Sequence, residues 1–127
     1  MIKLYESVLE GIQALAEDNH PNEIVVLLRG KRESGDLIVT EYLIPPFGFG
    51  GRRSASFPAH MIPMDLTLIG TAHSHPSGNV NPSTGDSHNF YGRIMMIVGP
   101  PYGQQNLAIY NKRGESLEIE IEKGGNI

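Results

Sequence analysis

The chain has no cysteine among its 127 residues. Disulfides, thiolate zinc sites and cysteine nucleophiles are excluded by inventory, so any metal must be held by nitrogen and oxygen. An excess of basic charge is also lacking: 10 Lys and Arg stand against 14 Asp and Glu, a formal net charge of −4. Broad binding to nucleic acid needs a basic face that displaces counterions from phosphates, and this balance argues against it. Nowhere do about 18 apolar residues run together, as a membrane-spanning helix requires. The opening MIKLYESVLE carries acids and no long apolar stretch, so no signal peptide is indicated and a cytoplasmic protein is the expectation. Neither a repeat nor a linker divides the chain, and its length suits one domain with one core.

What is present reads as a helix, two strands, a loop, a strand, a loop, a short helix and three strands. Tyr5, Val8, Leu9, Ile12, Leu15 and Ala16 recur at three- and four-residue intervals, the stripe of an amphipathic helix. That helix should end by Asn19-His20-Pro21, because proline disfavours helical geometry in the residue before it. Glu23-IVVLL-Arg29 is a short β-branched apolar run and reads as a buried strand. KRESGD suggests a turn into a second strand, LIVTEYL, as a hairpin with a longer loop. The segment IPPFGFGGRRSASFPAH has no periodicity, and a loop of this length in a compact domain is usually functional or mobile. LTLIGTAH, RIMMIVG, QNLAIYN and ESLEIEIE supply four further strands, and PSTGDSHNFYG fits a short helix opened by Ser83. The expected fold is one α/β domain over residues 1–122, with a mixed central sheet and helices packed on it, followed by a frayed tail, 123–127. The Gly124-Gly125 pair in that tail is taken as part of a flexible terminus.

The chemistry concentrates around HSHPSGNVNPSTGD. His73 and His75 stand two apart at a predicted strand end, and because side chains alternate with period two, both imidazoles project to one face and can share an ion. Asp86 follows a Pro/Gly/Asn loop long enough to bring the chain back over that strand end. Two imidazoles and a carboxylate make a three-ligand site with a fourth position open, the arrangement of catalytic rather than structural zinc. A plainer reading of Ser83-x-x-Asp86 exists, since a serine followed three residues later by an acid is also a helix capping box. His-x-His alone is likewise weak evidence of metal binding.

His73-Ser74-His75, then PSGNVNP, then Ser83-Thr84-Gly85-Asp86 resembles the signature of the JAMM/MPN+ metalloproteases, five specified positions within fourteen residues. The resemblance runs from the first helix to the last strands. It implies a cytidine-deaminase-like α/β fold, a three-layer sandwich with a mixed sheet. It also implies Zn2+ held by His73, His75 and Asp86, with Glu23 as general base on an activated water and later as proton donor to the leaving amine. Ser83 would donate a hydrogen bond to the developing oxyanion. Glu33 and Glu41 fit the position of the base less well, one lying in a polar turn and the other in the second strand. Ser74 should point to the opposite face.

Other groups have simpler assignments. His88 turns away from Asp86 on a helix, His20 sits at a helix end, and His60 lies in the Pro-rich loop. Met95 and Met96 read as core. Arg52-Arg53, in the loop 44–60, could steer an acidic partner or contact an extended substrate tail. Iron, cobalt or manganese also suit a two-His, one-carboxylate site, although a tetrahedral centre with an open position favours zinc.

By this resemblance the expected activity is an isopeptidase that removes a ubiquitin-like small modifier from a lysine. A second reading is a peptidase that releases an amino acid from the C-terminus of a sulfur-carrier protein, and either partner would present a flexible Gly-rich tail. A third is a non-catalytic MPN scaffold, which the complete residue set disfavours. A nucleoside deaminase would need Cys-x-x-Cys ligands that this chain cannot supply.

Overall fold

The computed structural model describes residues 1–45, 66–83, 90–103 and 105–123. Their order is β1 (Ile2–Tyr5), α1 (Glu6–Asn19), β2 (Val25–Glu33), β3 (Asp36–Leu43), β4 (Leu68–Ser74), β5 (Ile94–Val98), β6 (Leu107–Asn111) and β7 (Ile119–Glu122). The seven strands form one mixed sheet in the order β6-β5-β4-β2-β3-β1-β7. Among the described residues α1 is the one helix, and none is long and apolar enough to cross a membrane. The α/β class and the mixed sheet agree with the expectation. The expected short helix after Ser83, most of the loop 44–60 and the Gly124-Gly125 pair lie outside the described residues.

Two elements differ from the sequence reading. The residues before the expected helix, together with its first residue Tyr5, form strand β1, and α1 begins at Glu6 with Tyr5 as an extended N-cap residue. β1 alternates buried Ile2 and Leu4 with partly exposed Lys3 and Tyr5, and it pairs in parallel with β3 on one side and β7 on the other. Four residues carry too little periodicity to be separated from the helical stripe that follows them. The β2–β3 connection is also tighter than a longer loop: the ladder runs to Glu33↔Asp36, leaving only Ser34 and Gly35 between. Both have positive φ, 52° and 86°, the requirement of a type I′ turn, whose twist matches that of the flanking strands.

The two faces of the sheet are covered differently. Val8, Leu9, Ile12 and Ala16 of α1 pack against Ile24, Val26, Leu28, Ala72, Met96 and Val98 to form the main core. The opposite face holds smaller clusters, Val25–Leu27–Leu68 with Leu43 and Tyr91, and Met95–Ile97–Tyr110 with Val80 and Phe90. Met95 and Met96 are both buried, one on each face. The register of β4 against β2 shifts between Leu28 and Arg29, so Ile69 is an extra residue on β4. A one-residue change of register exchanges the faces. Beyond this irregularity, Thr71 and His73 point away from α1 while Ala72 and Ser74 point toward it.

Candidate metal centre

His73 lies near the end of the central strand β4, with Val25 of β2 opposite it on one side and Ile97 of β5 on the other. Both neighbours are fully buried, and His73 itself is only 4% exposed. His75, the first residue past β4, is held to the sheet by its amide, which donates to the Val98 carbonyl at 2.8 Å. The pleat therefore sets the two histidines on one face at the strand end, as their spacing requires.

A carbonyl can only accept, so the contact of His75 Nδ1 with the Asn79 carbonyl at 2.8 Å fixes the ring tautomer. Nδ1 carries the hydrogen, and in the neutral ring the lone pair sits on Nε2. Histidines that bind metals are commonly oriented by such a donor bond from the second nitrogen. His73 Nε2 lies 3.2 Å from the buried Thr71 hydroxyl, a group that can donate or accept and leaves that tautomer open. Ser74 faces α1, as its place in the alternation required. It is fully buried, and its Oγ accepts from the Ile24 amide at 2.9 Å while its own amide donates to the Ile24 carbonyl at 3.2 Å.

That clasp extends the β2–β4 ladder past Val25↔His73. Half-buried Glu23 immediately precedes Ile24 in this clasp, two residues before Val25, the residue that faces His73 across the ladder. Glu41 instead pairs with Arg29 at 3.0 Å, and Glu33 closes the far end of β2. Ser83 is exposed at the last described position before the gap in the motif. Asp86, the third expected ligand, lies outside the described residues, as do His88, His60, Arg52 and Arg53. Among the described residues no three His, Asp or Glu side chains converge to hold an ion by themselves. The donor set fits zinc: two imidazoles on one strand face, one with its tautomer fixed, leave room for a carboxylate and an exchangeable position.

The loops around this end are tied together by contacts that carry no local sequence signal. The turn after His75 closes through Gly78 N to the His75 carbonyl at 3.0 Å, and Asn81 N donates to Asn79 Oδ1 at 3.0 Å. Tyr110 Oη donates to the Val80 carbonyl at 2.8 Å, and burial raises the pKa of this phenol above its ordinary value. Tyr102 shares a 2.7 Å hydrogen bond with His20 Nδ1 and meets its ring edge-on. Burial, and secondarily the charge of Glu17, raise the Tyr102 pKa as well. His20 is thus part of a tie between loops, three residues ahead of Glu23.

An α/β domain with a mixed sheet whose central strand carries His73 and runs into His75 frames the class. A sequence profile of the prokaryotic homologues of the JAB domain matches residues 5–111, and the chain belongs to that family, within the JAMM/MPN group it resembles. A probable metalloprotease of Haloferax volcanii is 33% identical over 118 residues, spanning 87% of this chain and 73% of the relative. Among solved structures, one described as JAMM, a metalloprotease-like zinc site in the proteasome and signalosome, has a TM-score of 0.71 at 28% identity, covering 96% of this chain and 98% of its own. A JAB1/MPN domain protein from Archaeoglobus fulgidus also has a TM-score of 0.71, at 29% identity over 94% and 97% of the two chains.

Proposed function

We propose that this protein is a zinc-dependent isopeptidase that removes a ubiquitin-like small modifier from a lysine. The observation that carries the reading is the seating of His73 against Val25 and of His75 against Val98 at one end of the sheet, and it is supported by Glu23 lying two residues before Val25 in the sequence. Membership of the JAB family and the relative described as a probable metalloprotease support a metal-dependent hydrolase. His73, His75 and Asp86 would hold the ion. We also read the α/β domain as a cytidine-deaminase-like three-layer sandwich.

A bound divalent ion would supply Lewis acidity, lowering the pKa of water far below its bulk value, toward about 7, and polarising a carbonyl. Glu23 takes the proton of the attacking water on a carboxylate oxygen and passes it to the leaving lysine nitrogen. Ser83 donates its hydroxyl hydrogen to the oxygen on which charge develops, a contribution worth about a hundredfold or more in comparable sites. The apolar walls supplied by Val25 and Ile97 keep bulk water from His73. The partner is a modifier with a flexible Gly-rich C-terminal tail.

The test is to load the protein with zinc and present three substrates: an isopeptide-linked conjugate, a linear fusion, and a sulfur-carrier protein extended by one C-terminal amino acid. Preferential cleavage of the isopeptide, lost on chelation, is expected. Release of the terminal amino acid alone would transfer the activity to sulfur-carrier processing. Stoichiometric zinc without any hydrolysis would leave a scaffold.

A further inference from the structure

We infer that Asn106 is a positioning residue for the metal ligand His75, a role that rests on the metal-centre reading above. Asn106 immediately precedes β6, 31 residues after His75, and is only partly exposed. Its Nδ2 donates to two backbone carbonyls from different loops, Pro100 O at 2.7 Å and Gly78 O at 3.3 Å. Its main chain is engaged as well, the amide donating to Gly103 O at 3.2 Å and the carbonyl accepting from Gly99 N at 3.1 Å. One side chain thereby ties the turn after His75 to the loop after β5.

Gly78 adjoins Asn79, whose carbonyl fixes the His75 tautomer. The clamp on Gly78 O therefore sets where that carbonyl stands. Gly99 shows how closely the two loops approach: a Cβ there would lie 3.0 Å from Asn106 Nδ2, 3.1 Å from Gly78 Cα and 3.3 Å from the His75 carbonyl. A primary amide nitrogen carries two hydrogens and can serve both carbonyls at once. Aspartate has the same shape with no donor, and would set a carboxylate against two carbonyl oxygens. Serine keeps one donor on a shorter stem.

The experiment measures zinc affinity by competition with a chromogenic chelator for wild type, Asn106→Asp and Asn106→Ser. The electronic spectrum of the Co2+-substituted proteins reports ligand geometry. A core variant, Ile109→Val, serves as a control for general loss of stability. Partners that orient a ligating histidine typically contribute 10- to 100-fold in metal affinity. Asn106→Asp is expected to weaken zinc within that range and alter the Co2+ spectrum, with Asn106→Ser intermediate and Ile109→Val unchanged in both. Wild-type zinc affinity and spectrum in folded Asn106→Asp would overturn the inference while leaving the metal centre standing. If Asn106→Asp fails to fold, Asn106→Ser carries the same two outcomes. Failure of the wild type to take up zinc would overturn the metal-centre reading and this role with it.

Discussion

Replacing Glu23 by glutamine keeps the size of the side chain and removes its ability to accept a proton. Since Glu23 is proposed as base and not as ligand, Glu23→Gln should retain one zinc per chain while kcat falls by about 10²- to 10⁴-fold, the usual range for general-base catalysis. Metal analysis beside single-turnover kinetics checks this, and loss of zinc in the variant would recast Glu23 as a ligand. At this scale the sequence was readable where chemistry is local. His73 and His75 announce themselves because the pleat alone sets their geometry. Asn79 and Asn106 do not, because their roles arise from a turn and from a contact across 28 residues between Asn106 and Gly78. Polar residues in loops have many such destinies, and spacing distinguishes none of them.

The elements that flank the centre are held by ties between loops, of which Tyr102 to His20 is one. Tyr102→Phe removes that hydrogen bond and should cost about 1 kcal/mol at neutral pH. The pKa of Tyr102 is raised in the fold above its ordinary value of 10.0, so the folded chain keeps this proton to a higher pH than the unfolded chain does. Its stabilisation is fully present below pH 10 and is lost as pH rises through the folded value. Denaturant unfolding from pH 7 to 11 should show wild type losing stability above pH 10 more steeply than Tyr102→Phe. A residual slope from Tyr110 should remain in both. Parallel curves would show that the Tyr102 phenol is equally solvated in both states. Strand and helix identity along most of this frame was legible from apolar runs and their periods. β1 was not, because it is four residues long and both its partners, β3 and β7, are distant in sequence. The Ser34-Gly35 turn hid for another reason: the surrounding KRE-D residues look like loop, yet they continue the ladder as the exposed end of β2 and the half-buried start of β3.

Over the whole molecule, zinc that binds only the native fold must raise stability by mass action. At a free concentration of 100 times Kd the gain is about 2.7 kcal/mol, a rise in Tm of about 10 °C for a domain of this size. Calorimetry should show that rise, its reversal by chelator, and its absence in His75→Ala. A shift that survives His75→Ala would place the ion elsewhere. The sheet order also bears on how the ion arrives. β4 is laddered on both sides, to β2 and to β5, up to the residue where His75 begins. His73 is therefore mounted on a strand paired along both edges, with His75 as the next residue after it ends. The His73 amide, inside this double ladder, should be among the slowest to exchange with solvent, which native-state hydrogen exchange would measure. On the metal-centre reading, capture of an ion at this strand should therefore demand little ordering of the residues that carry the two imidazoles.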